Sequence, residues 1–277
     1  MPHVYGSSAT AQSKYTAKRA AGPIKIDGKL DEPSWKLAQK STRFVDLVTG
    51  QPVEHDTRAA VLWDDDYLYV GFWVEEPDVR GTLTERDSFI WNDNDVEVFI
   101  DGGDTYYEFE MNSLGTVLEI FWIWKDVYKR GGKFDIPEFD LFGGNVWVLN
   151  GLDGRKHPRG ARWGFLDWDM KGLKTAIHID GTLNKRDDTD KGWTAEIAFP
   201  WKSMKWLANG RSLPPKEGDV WRIDFSRFQQ YDKETKPLPS WVVKDSPGWV
   251  WNMHGLYDSH IPECFVQVSF SEKSVGK

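Results

Sequence analysis

Two glutamates, Glu97 and Glu110, have the residue type and the spacing to act together on a polar ligand. They lie in the segments Asp95–Asp101 (DVEVFID) and Tyr106–Asn112 (YYEFEMN), which residues 102–105 (GGDT) separate. If residues 102–105 form a hairpin loop, the two glutamates are directly opposed, with Cβ atoms about 4.5–5.5 Å apart. Retaining glycosidases hold their two carboxyl groups about 5–5.5 Å apart. The pair could therefore be a catalytic dyad, or could accept hydrogen bonds from the hydroxyl groups of a bound ligand.

The same register predicts the two faces of the hairpin. One face is apolar throughout, and this consistency supports the register. Its pairs are Val96 with Met111, Val98 with Phe109, and Ile100 with Tyr107. The other face is polar, with Asp95 opposite Asn112 and Phe99 opposite Glu108. Such a face is either solvated or occupied by a ligand, because opposed like charges destabilise a sheet. We expect it to be open and wet, which favours binding over catalysis, since a catalytic acid needs a desolvated carboxyl group.

Tryptophan is unusually frequent, with 16 among 277 residues. Indole is rarely fully buried and its N–H needs a partner, so a core accounts for only part of this number. A flat apolar ring suits the C–H face of a sugar. Trp91 precedes a run of polar residues, which predicts a position at the rim of a site. The segment with Trp241, Trp249 and Trp251 contains Pro and Gly, and we expect at least one of its rings to face a ligand.

The charged sequence NKRDDTD, which begins at Asn184, has two interpretations. It is either a solvated hairpin loop or a calcium site. Its residues Asp187, Asp188 and Asp190 offer the carboxylate oxygens that calcium prefers. Their spacing is not that of an EF-hand loop, so the solvated loop is favoured.

Haem ligation through Met111 and His178 is a minor alternative for this sequence. Met253 and His254 are adjacent and would point to opposite faces of a strand, so they cannot both be axial ligands. Cys264 is the single cysteine, which excludes an internal disulfide and a thiolate metal cluster.

The segments between Gly, Pro, Asn and Asp residues are short, alternating, and rich in β-branched and aromatic residues, a pattern typical of strands. Strands are predicted at residues 58–63, 68–74, 95–101, 106–112, 175–179, 192–199, 220–228 and 264–270. Helical periodicity is confined to two short turns at 32–38 and 201–207. The predicted fold class is all-β. It is a single antiparallel β-sandwich, jelly-roll or immunoglobulin-like, with long loop insertions.

The composition is that of an acidic globular protein, with a net charge of −8 and an isoelectric point of about 5.3. This charge argues against a nucleic-acid partner. No apolar run is long enough to predict a membrane span, and the N-terminal residues lack the apolar stretch of a signal peptide. The predicted segments are a flexible lead-in (1–22), the sandwich (23–271), and a tail (272–277). An insertion at about 125–169 either forms one wall of a site or decorates the surface.

Six blocks of the sequence resemble, in the same order, family 9 carbohydrate-binding modules. They are PIKIDGKLDEPSW (23–35), AAVLWDDDYLYVGFWVEEPDV (59–79), FIWNDNDVEVFIDGGDTYYEFEMNSLGT (89–116), GWTAEIAFPWKSM (192–204), VWRIDFSRF (220–228), and the ending from WNMH to FVQVSFS (251–271). The likeness extends through most of residues 23–271 and is greatest to long, stand-alone proteins of this family.

This resemblance implies a calcium-binding β-sandwich of a secreted or periplasmic bacterial system for polysaccharide degradation, with a sugar held between two tryptophan rings. It assigns one ring to Trp91 and the other to Trp249 or Trp251. It assigns Glu97 as an acceptor for sugar hydroxyls. The family pattern has an arginine where this chain has Glu110, which makes the site more acidic. This departure weakens the expectation that a neutral reducing-end sugar is the specific ligand, and it disfavours uronic acids.

The function predicted from the sequence is non-catalytic binding of an oligo- or polysaccharide. The candidate binding residues are Trp91, Glu97, Glu110, Asn112, Trp249 and Trp251. Structural Ca²⁺ is the expected cofactor. Arg227 could supply a replacement donor, although strand alternation assigns it to the core-facing set. The alternatives are a glycoside hydrolase or lyase that uses the two glutamates, and a haem-binding sandwich.

Overall fold

The structure is a computed structural model that describes residues 12–152, 154–230 and 248–277. Within these ranges the chain forms fourteen strands, two short helices and four 3₁₀ turns. The strands are β1 (Lys14–Arg19), β2 (Val45–Asp46), β3 (Thr57–Trp63), β4 (Tyr67–Glu75), β5 (Asp95–Asp101), β6 (Thr105–Asn112), β7 (Val117–Trp124), β8 (Val146–Leu149), β9 (Arg162–Phe165), β10 (Lys174–Asp180), β11 (Gly192–Pro200), β12 (Val220–Phe228), β13 (Gly248–Val250) and β14 (Val266–Ser274). The helices are α1 (Pro33–Leu37) and α2 (Lys205–Ala208), and the turns lie at Ile90–Asn92, Pro137–Phe139, Trp201–Ser203 and Pro262–Cys264. None of the described helices is long and apolar enough to cross a membrane.

The strands form two layers that pack face to face. The first layer has the order β10-β11-β4-β3, and the second has the order β14-β12-β5-β6-β7-β9-β8. β1 pairs in parallel with both β3 and β14 and so joins the two layers. Across the interior, the ring centroids of Phe72 and Phe225 lie 6.3 Å apart, and those of Phe109 and Phe199 lie 5.4 Å apart. The all-β sandwich predicted from the sequence is confirmed, with the parallel pairing of β1 as an addition.

The β5–β6 hairpin has the predicted register. Val96 pairs with Met111, Glu97 pairs with Glu110, and the remaining pairs follow in step. The tight loop depends on Gly102, because a Cβ at this position would lie 2.9 Å from the Cα of Leu207. The hairpin therefore places its two glutamates side by side on the outer face of the second layer.

The predicted flexible lead-in is wrong for residues 14–19, which form β1. Tyr15 and Ala17 alternate with outward polar residues and are buried. β1 pairs with β14 and β3, which lie far away along the chain. Because the segment KYTAKR is rich in charged residues, its local pattern did not predict a strand. At the other end β14 continues to Ser274, into the segment predicted to be a tail.

The insertion at 125–169 adds two strands to the second layer. β9 pairs with β7, and β8 pairs with β9 and ends the layer. The segment therefore extends the sheet, and its outermost strand stands beside the polar face of the hairpin.

A second, smaller core covers part of that outer face. Its buried members include Phe99, Tyr106, Trp122, Trp124 and Phe265. The interpretation of the polar face as an open, solvated surface is wrong, because every residue of β6 is buried. The cover comes from the insertion and from the chain before β14, which the hairpin sequence cannot reveal.

Candidate functional site

A cleft of about 720 Å³ opens on the outer face of the second layer. Its lining combines aromatic rings with carboxyl groups, which is the combination that a polar ligand with apolar faces requires. The aromatic residues are Trp91, Trp122, Trp147, Phe228 and Tyr257, and the carboxyl groups are Glu97, Glu108, Glu110 and Asp258. β5, β6 and β7 supply the floor, β8 supplies one wall, and residues 257–260 supply another.

Trp91 is one of the residues that line this cleft. It is half-buried and stacks on Phe89, with centroids 4.8 Å apart and planes 12° apart. The 3₁₀ turn Ile90–Asn92 anchors it through the buried side chain of Ile90. Asp93 fixes the end of this turn, because its carboxylate accepts hydrogen bonds from the backbone N–H groups of Thr82 and Leu83. The ring thus has a fixed position on a rigid support.

Asn112 was predicted to bind the ligand, and the structure does not support this. Its amide nitrogen donates to Asp93 at 2.9 Å and to the carbonyl of Leu83 at 2.8 Å. Its side-chain oxygen accepts from the N–H groups of Leu114 and Thr116. All of these bonds are internal, so Asn112 supports the Trp91 turn and does not line the cleft.

The floor carboxyl groups are buried, with Glu97 2%, Glu108 3% and Glu110 1% exposed. Burial, opposed by the indole N–H of Trp122, raises the pKa of Glu108 to about 7. Burial and neighbouring carboxylates raise the pKa of Glu97 and of Glu110 well above the usual range. The cleft is thus less hydrated and less ionised than the sequence suggested.

His260 lies in the wall above Glu108. Its Nδ1 is 3.0 Å from the hydroxyl of Tyr106, and that oxygen accepts a hydrogen bond from Nε of Arg162 at 2.9 Å. Nε2 of the ring lies 3.8 Å from Oε1 of Glu108. Burial lowers the pKa of His260 to about 3, so the ring is neutral at physiological pH. A neutral imidazole has one N–H donor and one acceptor nitrogen, so His260 adds a polar group to the wall.

The assignment of the second ring to Trp249 or Trp251 is wrong. Trp249 is fully buried, with the guanidinium of Arg227 4.7 Å from its ring centroid. Trp251 packs edge-on against Tyr15 at 5.1 Å and lies 5.2 Å from Phe225. Both indoles belong to the main core between the layers, because β13 pairs with β12 and leads the chain inward. Trp241 lies outside the described residues.

The second indole that lines the cleft is Trp147 of the insertion. It is in edge contact with Trp91, with centroids 6.2 Å apart and an interplanar angle of 61°, so the two rings form one wall and do not enclose a sugar between them. Trp147 is half-buried and lies on β8, in the sequence NVWVLN. The sequence predicted that the insertion could form a wall but did not single out this residue. The alternation of Val146, Trp147, Val148 and Leu149 was the available signal.

Arg227 does not reach the cleft. It is fully buried and donates to Thr57 at 3.0 Å and to the carbonyl of Glu75 at 2.8 Å. Its register partner on β5 is Val96, which faces the main core. Strand alternation therefore gave its direction correctly, and Arg227 supplies no cation to the site.

The calcium and haem ligands suggested by the sequence do not come together in the described part of the chain. Asp190 accepts hydrogen bonds from Val79 and Thr182, and Asp188 pairs with Lys185 at 3.3 Å, so this segment is a closed, largely solvated loop. Met111 is buried in the core while His178 is exposed on β10, which excludes them as a pair of haem ligands.

A different set of oxygens, from Asp95, Glu97 and Glu110, could hold a cation. Calcium fits this set by its chemistry, since the ligands are hard carboxylates.

Comparisons with known proteins agree with the resemblance seen in the sequence. Residues 26–117 match the family model described as carbohydrate family 9 binding domain-like. This stretch includes the Trp91 turn and the β5–β6 hairpin. A comparison with curated proteins finds no match.

Among solved structures, the chain is similar to a protein from Bacteroides uniformis ATCC 8492 named "putative carbohydrate-binding protein", with a TM-score of 0.57 and 15% identity over 94% of this chain and 100% of that one. This likeness shows the fold. A family 9 module from Caldicellulosiruptor kristjanssonii in complex with cellotriose has a TM-score of 0.49 and 12% identity, over 95% of each chain.

Proposed function

We propose that this chain, whose residues 26–117 match the family 9 carbohydrate-binding domain model, binds carbohydrate in the cleft that Trp91 and Trp147 line. One observation carries this proposal: two half-buried indoles face a cavity whose floor consists of carboxyl groups. The rings offer apolar surface to sugar C–H groups. The carboxyl and imidazole groups offer hydrogen-bond acceptors and donors to hydroxyls.

The pKa values of the floor suit a neutral ligand. Glu108, whose pKa burial raises to about 7, can both donate and accept hydrogen bonds, as a sugar hydroxyl does. An anionic sugar would be repelled by the ionised fraction of a floor that already holds Glu97, Glu108 and Glu110. We therefore propose that the ligand is a neutral oligo- or polysaccharide.

The expected affinity is modest. About 100 Å² of sugar C–H surface on two indoles contributes roughly 2.5 kcal/mol. A few hydrogen bonds contribute about 1 kcal/mol each, less the cost of ordering the ligand. The dissociation constant is then on the order of micromolar to millimolar.

The test is a panel of neutral oligosaccharides (cello-, xylo-, manno- and galacto-series), each titrated calorimetrically into the wild-type protein and the Trp147→Ala variant. Binding that the variant loses supports the cleft as the site. Trp73→Ala is the matched control, since Trp73 is a half-buried indole in a separate surface depression. Equal losses in the two variants, or no binding to any member of the panel, would contradict the proposal.

A second candidate function is glycan cleavage. The burial of Glu97 and Glu110 favours it, because a general acid needs a desolvated carboxyl group with a raised pKa. The two residues are directly opposed across the hairpin, as in a retaining pair. Release of reducing ends from any glycan of the panel by the wild-type protein, and its loss in Glu97→Gln, would establish this function. Unchanged glycan chain lengths after long incubation would exclude it for that panel.

A further inference from the structure

Three carboxyl groups on the β5–β6 hairpin converge at one point. Asp95, Glu97 and Glu110 each offer an oxygen, and these oxygens all lie within 4.8 Å of one another. Asp95 and Glu97 are successive outward residues of β5, and Glu110 is the register partner of Glu97 on β6. The hairpin register therefore brings them together.

These groups are buried without full compensation. Oδ2 of Asp95 and Oε2 of Glu110 have no hydrogen-bond partner among the described residues, although both side chains are at most 1% exposed. The contacts that are present are few. Oδ1 of Asp95 accepts from the N–H of Phe228, Oε2 of Glu97 accepts from the hydroxyl of Ser226, and Glu110 shares a hydrogen bond with Glu108. A buried, unpaired carboxylate oxygen is costly, so such a site calls for a cation or a proton.

We propose that Asp95, Glu97 and Glu110 bind a divalent cation of the size of Ca²⁺ at the floor of the cleft, and that this ion completes its coordination with carbohydrate hydroxyls. The coordination of sugar hydroxyls by the ion rests on the proposed function, whereas the cation site itself does not.

The geometry agrees with calcium. Ca²⁺–oxygen distances of about 2.3–2.6 Å allow two ligands of one ion to be up to about 4.6–5.2 Å apart. Separations of no more than 4.8 Å are compatible with this range. All three ligands are hard oxygens, which alkaline-earth cations prefer to imidazole or thiolate.

The position of the cluster leaves part of the ion accessible. Glu97 and Glu110 line the cleft, whereas Asp95 lies at the end of β5, where its Oδ1 is held by the backbone of β12. Three carboxylates cannot supply the six to eight oxygens that calcium takes, unless all are bidentate. Because Glu97 and Glu110 line the cleft, the remaining positions would be open to the cavity that Trp91 and Trp147 also line. Neighbouring hydroxyls of a sugar would fill them while the rings hold its C–H face.

The first experiment measures metal alone. Chelator-treated wild-type protein is titrated calorimetrically with Ca²⁺ and with Mg²⁺, and its melting temperature is measured with and without each ion. We expect one Ca²⁺ per chain, a higher melting temperature with Ca²⁺, and a weaker effect of Mg²⁺. The proposal is overturned if the protein takes up no Ca²⁺ at 10 mM, a concentration about ten times the dissociation constant of the weakest extracellular calcium sites, which is roughly 1 mM.

Variants then locate the ion. Glu110→Gln should weaken Ca²⁺ binding at least about 10- to 100-fold, the loss that even an outer-shell partner causes. The charge-matched control is the single variant Asp187→Asn in the exposed loop, which should bind Ca²⁺ as the wild type does. Asp95→Asn serves as a second ligand variant if Glu110→Gln does not fold. Loss of binding in the loop variant, with retention in Glu110→Gln, would assign the ion elsewhere and overturn the proposal.

Titration of the oligosaccharide panel with and without chelator separates the cation site from its role in sugar binding. Sugar binding that needs Ca²⁺ supports coordination of hydroxyls by the ion. Sugar binding unchanged by chelation would overturn the bridging role and leave the cation site in place. Ca²⁺ binding without any sugar binding would instead contradict the proposed function and not the metal site.

Discussion

At the scale of single residues, the two indoles of the cleft come from different kinds of segment. Trp91 is held by a short 3₁₀ turn that Asp93 and Asn112 brace, whereas Trp147 lies on an edge strand of the insertion. Both rings remain half-buried, unlike Trp249 and Trp251, which fill the core. The two cleft indoles therefore keep part of their surface available to a ligand, whereas the core indoles do not.

We predict that Trp147→Ala weakens carbohydrate binding about ten-fold with little change in melting temperature. One ring covers roughly 50 Å² of sugar, which is worth about 1.3 kcal/mol. Trp249→Ala should do the opposite, since removing a fully buried indole costs about 3–5 kcal/mol of stability. Calorimetric titration and thermal unfolding of the two variants check this. A large loss of stability in Trp147→Ala would show that its ring serves the fold.

At the scale of elements, the β8–β9 pair connects the wall of the cleft to its floor. Gly164 of β9 lies against the floor ring of Trp122, and a Cβ there would approach that ring to 2.5 Å. Trp122 is buried and its N–H is bonded to Glu108, so it cannot move aside freely. The glycine is therefore needed for close packing of the inserted strand.

We predict that Gly164→Ala destabilises the protein by about 1–3 kcal/mol, the usual cost of overpacking. It should also weaken ligand binding, because the displaced Trp122 would carry Glu108 with it. Urea unfolding and the near-ultraviolet circular dichroism of the indoles are the measurements. Gly22→Ala is the control, since a Cβ at Gly22 meets no atom within 4 Å. Equal stability of the two variants would refute the packing argument.

At the scale of the whole molecule, the cleft depends on contacts between distant parts of the chain. Arg162 of the insertion donates to Tyr106 of β6 and to the carbonyl of His260, at 3.1 Å, and so connects three segments. His260 is neutral within this network because burial lowers its pKa to about 3. The network is thus sensitive to acid.

We predict that His260 makes the folded state less stable as the pH falls. A histidine whose folded pKa is about 3 and whose unfolded pKa is about 6.5 binds its proton in the unfolded state first, so stability is lost from about pH 6.5 down to about pH 3. Between pH 6.5 and 4.5 this amounts to about 2–3 kcal/mol. Glu108 has the opposite effect, because its raised pKa of about 7 makes the folded state bind this proton first. The stability gained in this way as the pH falls partly offsets the loss from His260.

Comparison of the wild type with His260→Gln isolates the effect. Urea unfolding of both proteins at pH 6.5 and pH 4.5, in chelator, should show the variant gaining stability relative to the wild type by about the amount above. The same difference at both pH values would mean that His260 titrates normally. Glu108→Gln provides the opposite control, since its stability should fall more steeply in acid than that of the wild type.

The sequence by itself determined eight of the described strands and the register of the hairpin. Alternation of period two is a local property, and the consistent apolar pairs from Val96 with Met111 to Ile100 with Tyr107 left one register that buries a single face. The opposition of Glu97 and Glu110 followed directly from that register. Local pattern was sufficient because each of these features depends on residues close together along the chain.

Only the tertiary structure decided what covers the polar face and which indoles reach it. Trp147 and His260 meet the hairpin from the insertion and from the chain before β14, and β1 takes its place through partners more than 40 residues away along the chain. The sequence made Trp249 and Trp251 candidate binding residues alongside Trp91, because no local pattern distinguishes an indole in the core from one at a cleft. Burial is a property of distant segments brought together. For that reason it also decided the pKa values of the floor carboxyl groups.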